Sequence, residues 1–203
     1  MPILRRLLAA LDAWVVIDVR WRAGALERLL DEDHAALVGL LTGLLHRLGW
    51  EVHVEVTYSE FGERGSIDVL AFWRPVGLLL VIEVKTDLAS VEGMLRKLDE
   101  KVRLAPKVGR ERFGWDARQV ARLIVLPDAS TLRRRASRQA AVLEKALPAR
   151  AVEVRQWLRR PSGALAGLWF VSGSHRRTRM QRCGGPERVR VGKRAARRHS
   201  AAA

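Results

Sequence analysis

The sequence predicts an α/β domain, and three observations predict it. Leucines recur at helical spacing ahead of a run of strands. Two strand-length segments, GSIDVLAFW and LLLVIEVKT, are apolar enough to be buried on both faces. Further helical and strand patterns alternate behind them. With 203 residues, 48% of them apolar, the chain can bury one proper core but not two large ones.

Val15 to Arg22 alternates apolar and polar residues as a strand does, ending at Gly24. Ala25 to Leu30 reads as a short helix. Asp31 or Asp33 then caps a longer one, carried by Leu37, Leu40, Leu41, Leu44, Leu45 and Leu48 and closed by Gly49. Next, Val52, Val54, Val56 and Tyr58 are expected on one strand face, with His53, Glu55 and Thr57 on the other. The loop FGERG turns the chain into a strand over 66–73, and Arg74, Pro75 and Gly77 turn it again into a strand over 78–85. A helix follows over 91–104, then a basic loop and a buried strand over 120–126 stopped by Pro127. The pattern then predicts a helix over 131–147 with Ser130 as N-cap, and last strands over 152–157 and 165–172. Beyond Gly173 periodicity fails, and the basic, Gly-Gly-Pro composition of 174–203 predicts a disordered tail.

No apolar run approaches the roughly 18 residues that span a bilayer. Asp12 interrupts the one stretch with a signal-peptide look, so a cytoplasmic location is expected. The single cysteine, Cys183, cannot form an internal disulfide, and no Cys/His cluster has zinc spacing. The formal charge of +15 favours an anionic partner such as DNA. Its placement weakens the point: residues 174–203 hold ten Lys or Arg and one acid, +9, which leaves +6 for the rest.

Chemistry is concentrated in the two apolar strands. Asp68 interrupts the first, and Glu83 and Lys85 interrupt the second. Alternation puts Glu83 and Lys85 on one face and Val84 on the other, and the short RPVG turn can bring Asp68 beside Glu83. Burying unpaired charge costs several kcal/mol, so such a cluster needs a reason. A structural Glu83–Lys85 ion pair is one. A hard cation is the other, since Mg²⁺ takes a few carboxylate oxygens plus waters and substrate phosphate. Asp68 and Glu83 would be its ligands, with the backbone carbonyl of Val84, and Mn²⁺ would substitute. Lys85 would orient the attacking water and stabilise charge at phosphorus.

The run D-x14-E-V-K, with its order of helix, three strands, helix and strand, resembles the PD-(D/E)XK, or restriction-endonuclease-like, superfamily. The resemblance covers about half the chain, and the proline of the nominal motif is replaced by Ile67. It implies a mixed central sheet flanked by helices over 25–173 and a metal-dependent DNA endonuclease. Catalytic roles would fall to Asp68, Glu83 and Lys85. An additional acid near the first core helix would be Asp33, with Glu60 and Glu63 as substitutes. For Asp33, helix-dipole stabilisation is an equal reading. More narrowly, TYSEFGERGSIDVLAF, VIEVKT, LDEKVRLAP and GLWF resemble uncharacterised actinobacterial proteins with a helix-turn-helix domain before such a domain, often labelled transcriptional regulators. That likeness would make residues 1–24, with a helix from Leu4 to Ala13, the remnant of a DNA-binding domain. It also supports the alternative of a non-catalytic DNA-binding regulator.

Lys97 and Lys101, on the helix after the E-x-K strand, and Arg133 and Arg134, at the start of a later one, are candidate phosphate contacts. For each, a solvated helix face is the competing reading. Trp50, Trp73, Trp157 and Trp169 adjoin apolar runs and are expected in the core. A homodimer is left open, as is common for nucleases that cut both strands. No Walker A, G-x-S-x-G or kinase element accompanies VIEVKT.

Overall fold

A computed structural model describes residues 24–172. The expected strand over 15–22, the helix over 4–13 and the basic tail from 174 lie outside them. The leucine pattern forms one continuous helix, α1 (Gly24–Arg47), rather than a short helix followed by a capped one. Asp31 and Asp33 are therefore interior residues, not caps. Leu37, Leu41 and Leu45 are buried, Leu44 and Leu48 partly so, and Leu40 is exposed. Gly49, with φ of 92°, ends the turn as expected, its N–H donating to His46 O at 3.0 Å.

The strands β1 (Glu51–Glu60) and β2 (Glu63–Trp73) form an antiparallel hairpin. Its turn is only Phe61–Gly62, both at positive φ, so β2 starts three residues before the expected Ser66. A 3-10 turn at Arg74–Val76 leads into β3 (Leu78–Val84), which is buried along its whole length. The helix α2 (Val91–Phe113) follows, with the Ser90 hydroxyl accepting from Gly93 N at 3.1 Å.

This helix corrects one expectation. Residues 105–113 continue α2 and are not a basic loop, although Pro106 lies inside the helix. An interior proline costs about 3 kcal/mol. Burial of Leu104, Ala105 and Val108 against the sheet offsets that cost.

After β4 (Gln119–Pro127) the expected single helix is two, α3 (Ser130–Arg138) and α4 (Ala140–Ala146), broken at Gln139. Ser130 is the first helical residue, and the N-cap position is Ala129, without a side-chain cap. The expected strand over 152–157 is instead a helix, α5 (Ala151–Arg159). Its buried residues, Val154 and Leu158, are four apart, while Val152 is exposed, which is helical and not strand periodicity. Glu153 Oε2 accepts from Arg150 N at 2.9 Å and fixes the helix start. The last strand, β5 (Ala166–Val171), agrees with expectation.

The domain is thus α/β, with a mixed five-stranded sheet in the order β1-β2-β3-β4-β5. The first three strands are antiparallel neighbours; β3, β4 and β5 run parallel. Leucines of α1 and α5 cover one face. Residues of α2, α3 and α4 cover the other. Trp50 and Trp169 are buried, with Trp73 and Trp157 packed at the margin of the α1-side core. Among the described residues no helix is long and apolar enough to cross a membrane.

Candidate metal centre

The site begins with a change of face in the first hairpin. Val52 packs on the α1 side, whereas Val56 and Tyr58 pack on the α2 side. In β2 likewise, Val69 and Ala71 face α1, but Ile67 faces α2 together with Leu70 and Phe72. Strict alternation along β1, as expected from the sequence, therefore does not hold. The switch falls at Glu55, whose φ of 49° is left-handed. The pairs Val54–Val69 and Val56–Ile67 bracket Glu55 and Asp68, so these two acids lie across from one another at the crossover.

On its other side, β2 parts from β3. The last paired residues are Val69 and Ile82. Beyond them the Val84 N–H donates to Asp68 Oδ2 at 2.7 Å. In a strand the N–H and C=O of one residue point the same way, so the Val84 carbonyl also faces the gap between the strands. Val84's side chain packs in the α1-side core.

Glu83 projects toward α2 and is almost fully buried. One of its oxygens, Oε1, lies 2.6 Å from Lys85 Nζ. The other, Oε2, accepts a hydrogen bond from Lys101 Nζ, which also lies 3.7 Å from Asp68 Oδ1. Lys101 thus joins the two carboxylates from α2 instead of standing on a solvated helix face. With 7% of its surface exposed, it is a member of the site and not an outer phosphate contact.

From the opposite layer comes His34 on α1. His34, Glu55 and Asp68 each present a ligand atom within 4.8 Å of the others, and His34 Nε2 lies 3.7 Å from Glu55 Oε1. Asp68 is shared between the two clusters. Burial pushes its carboxyl above the ordinary range, and the Glu83 carboxylate adds to the rise. Lys101, the Val84 amide and His34 pull the other way. Among the described residues no buried side-chain polar atom lacks a hydrogen-bond partner.

These donors fit a divalent cation. Carboxylate oxygens suit hard ions such as Mg²⁺ and Mn²⁺, and an imidazole beside them favours the transition metal. The site opens to solvent at Lys85, His34 and Glu55. A cavity of about 400 Å³ between α1 and β1 adjoins it, lined by His34, Val38, Thr42, Val54 and Glu55 among others.

None of the remaining candidates contributes to the His34, Glu55 and Asp68 group. Glu60 and Glu63, at the hairpin tip, are ion-paired to Lys107 and Arg103 of α2. Asp33 sits on α1 beside His34, half-buried. Lys97 is exposed and paired with Glu100, whose Oε1 accepts from Tyr58 Oη at 2.8 Å. Arg133 bonds Asp128 and lies over the Phe170 ring at 4.7 Å; Arg134 is exposed on α3.

Sequence reasoning missed His34, Glu55 and the role of Lys101. A usable signal existed for Lys101, which falls on the stripe Met94, Leu98, Ala105 and Val108 that α2 buries. The chain matches no protein-family model, no curated protein and no solved structure.

Proposed function

We propose that the chain is a restriction-endonuclease-like, metal-dependent nuclease that hydrolyses phosphodiester bonds in DNA. One observation carries the reading: at the point where β2 and β3 separate, Asp68 and Glu83 share a single cationic neighbour, with Lys85 bound to Glu83 at the open rim. Two buried carboxylates around one ammonium repel each other, and a divalent cation would offset that repulsion more strongly than the lysines do.

Asp68, Glu83 and the Val84 carbonyl would hold Mg²⁺ or Mn²⁺, with His34 and Glu55 supplying further donors around Asp68. The bound cation supplies charge neutralisation at the phosphate and lowers the cost of ionising water. Lys85, 39% exposed at its side chain, can reach a substrate from the rim while Glu83 fixes its ammonium. There it donates a hydrogen bond to a non-bridging oxygen and stabilises the charge that builds as water attacks phosphorus. The phosphorus–oxygen bond to the leaving alcohol breaks, and solvent supplies its proton.

The +15 charge of the chain supports DNA as the partner, although +9 of it lies in residues 174–203. Much of the described basic surface is internally neutralised, as in Arg74–Glu51, Lys107–Glu60, Arg122–Asp99 and Arg135–Asp87. Weak, salt-sensitive binding is therefore expected.

The direct test incubates the purified full chain with single-stranded, duplex and supercoiled DNA in Mg²⁺ or Mn²⁺. Cleavage should fall at least about 100-fold in Glu83→Gln and Lys85→Met. Cleavage undiminished in both variants would sink the assignment. A second reading, a DNA-binding regulator that keeps the fold without hydrolysis, is favoured by the Lys101 ammonium beside both acids. It would show DNA binding and no cleavage with any metal.

A further inference from the structure

We propose that Lys101 is a tethered counter-ion that closes the Asp68–Glu83 pair to divalent cations until it is displaced. The inference rests on the reading of this pair as a metal site and concerns how that site is controlled.

Ionised, Asp68 and Glu83 carry two negative charges and Lys85 and Lys101 two positive ones, so these four groups balance without a metal, and Glu55 beside Asp68 is one further acid toward solvent. The two lysines are placed differently. Lys85 holds Oε1 of Glu83 from the rim, where its side chain is 39% exposed. Lys101 contacts both acids from beneath, on a helix that buries it among Met94, Leu98, Ala105 and Val108.

A divalent cation shared by Asp68 and Glu83 needs at least one oxygen from each. Lys101 engages one oxygen of each, Oδ1 of Asp68 and Oε2 of Glu83, while the Val84 N–H and Lys85 hold the other two. An ammonium and a dication in one buried gap repel strongly, because low polarity leaves their charges little screened. Metal binding and the present position of Lys101 are therefore mutually exclusive. Lysine is suited to this role. Its charge is compact, and its four-carbon stem swings by rotation about single bonds without moving the helix.

Lys101 has a positive use in the metal-free protein as well. Without it, Glu83 would keep only Lys85, and Asp68 only the Val84 amide and the half-buried His34, at the cost that attends poorly compensated buried charge. The same side chain that stabilises the metal-free fold thus sets a threshold for loading.

The experiment titrates the full chain with Mn²⁺ by calorimetry, as wild type, Lys101→Gln, Glu83→Gln and the double variant. Lys101→Gln should bind Mn²⁺ at least about tenfold more tightly than wild type, and Glu83→Gln should remove the binding in either background. Glu83-dependent binding of equal or weaker affinity in Lys101→Gln overturns the proposal and leaves the metal site standing. Absence of Glu83-dependent binding in every protein overturns the metal site and this inference together.

A second measurement needs no substitution at position 101. Wild-type protein is labelled with an amine-acylating reagent, and the modified lysines are located by mass spectrometry. Lys101 should be protected without metal and become labelled as Mn²⁺ is added, while exposed Lys145 is labelled throughout. Lys101 labelling that stays flat across the Mn²⁺ titration overturns the proposal.

Discussion

Asp68 accepts the Val84 N–H at 2.7 Å across the point where β2 and β3 part. A side chain thereby satisfies a backbone donor that the strand ladder no longer reaches. The bond fixes one carboxylate oxygen and leaves the other turned toward Lys101.

That arrangement predicts a trade between stability and activity at Asp68. Burial and the facing Glu83 carboxylate hold the Asp68 carboxyl above its ordinary 3.8. Ionising it therefore costs the folded state more than the unfolded one, and the cost appears as pH rises from about 3.8 through the raised folded value. Asp68→Asn keeps an acceptor for Val84 and removes the charge. Its melting temperature should match wild type at low pH and exceed it near neutrality, by about 2–4 °C for each kcal/mol relieved. Cleavage and Mn²⁺ binding should be lost. Calorimetric melting across pH decides the matter, and a lower midpoint at neutral pH would contradict it.

Glu51 predicts the opposite slope. Arg74 grips both of its oxygens at 2.6 and 2.8 Å, and Trp115 Nε1 donates to Oε2 at 2.9 Å. The Arg74 hydrogen bonds hold its carboxyl below the ordinary 4.5. A lowered folded value adds stability above pH 4.5 that is lost as pH falls through the folded value. Glu51→Gln should therefore be less stable than wild type at pH 7, by a small margin because the pair is solvent-exposed. The difference should vanish in acid. Urea denaturation at pH 7 and pH 3 measures it.

Gly65 is required by Tyr58. A Cβ at position 65 would stand 2.4 Å from Tyr58 Oη and 2.7 Å from Cζ, so the ring could not lie across the hairpin to reach Glu100. Gly65→Ala should destabilise by about 1–3 kcal/mol, the usual cost of overpacking. Denaturant unfolding tests this, and a change below about 0.5 kcal/mol, the range of neutral surface changes, would show that the tyrosine is free to move.

The helical state of residues 151–159 makes a sharp contrast between two valines. Val152 is 57% exposed and Val154 fully buried. Val154→Asp should cost about 3–5 kcal/mol through a buried, unpaired charge, whereas Val152→Asp should stay within about 0.5 kcal/mol. On a strand the two would share a face and suffer alike. Equal losses on thermal melting would restore the strand.

Lys97, Arg133 and Arg134 are all exposed candidates for phosphate contact, and Lys97 and Arg134 serve as the test. If each neutralises a phosphate, Lys97→Gln and Arg134→Gln should each lower the slope of log affinity against log salt by about 1, without changing sequence preference. Fluorescence anisotropy at several salt concentrations reads the slope, and an unaltered slope removes the residue from the interface.

Local pattern determined a good part of this protein. Period-two alternation and a short turn were enough to put Asp68 and Glu83 on neighbouring strands, and Lys85 two residues beyond Glu83 on the same face. Heavy apolar content made β3 a fully buried strand. These are near-neighbour properties, set by how consecutive side chains project from an extended backbone.

What tertiary structure decided lies between elements distant in sequence or in backbone torsions that composition does not encode. The left-handed Glu55 rotates half of a hairpin to the other face, and no residue pattern in β1 announces it. Val152 and Val154 alternate as in a strand, yet the sheet accepts only the second beneath a helix. His34 and Lys101 meet Asp68 because helices from two layers close over the same sheet position. A buried charge is favourable only beside its counter-charge, and which counter-charges arrive is settled by packing across the chain.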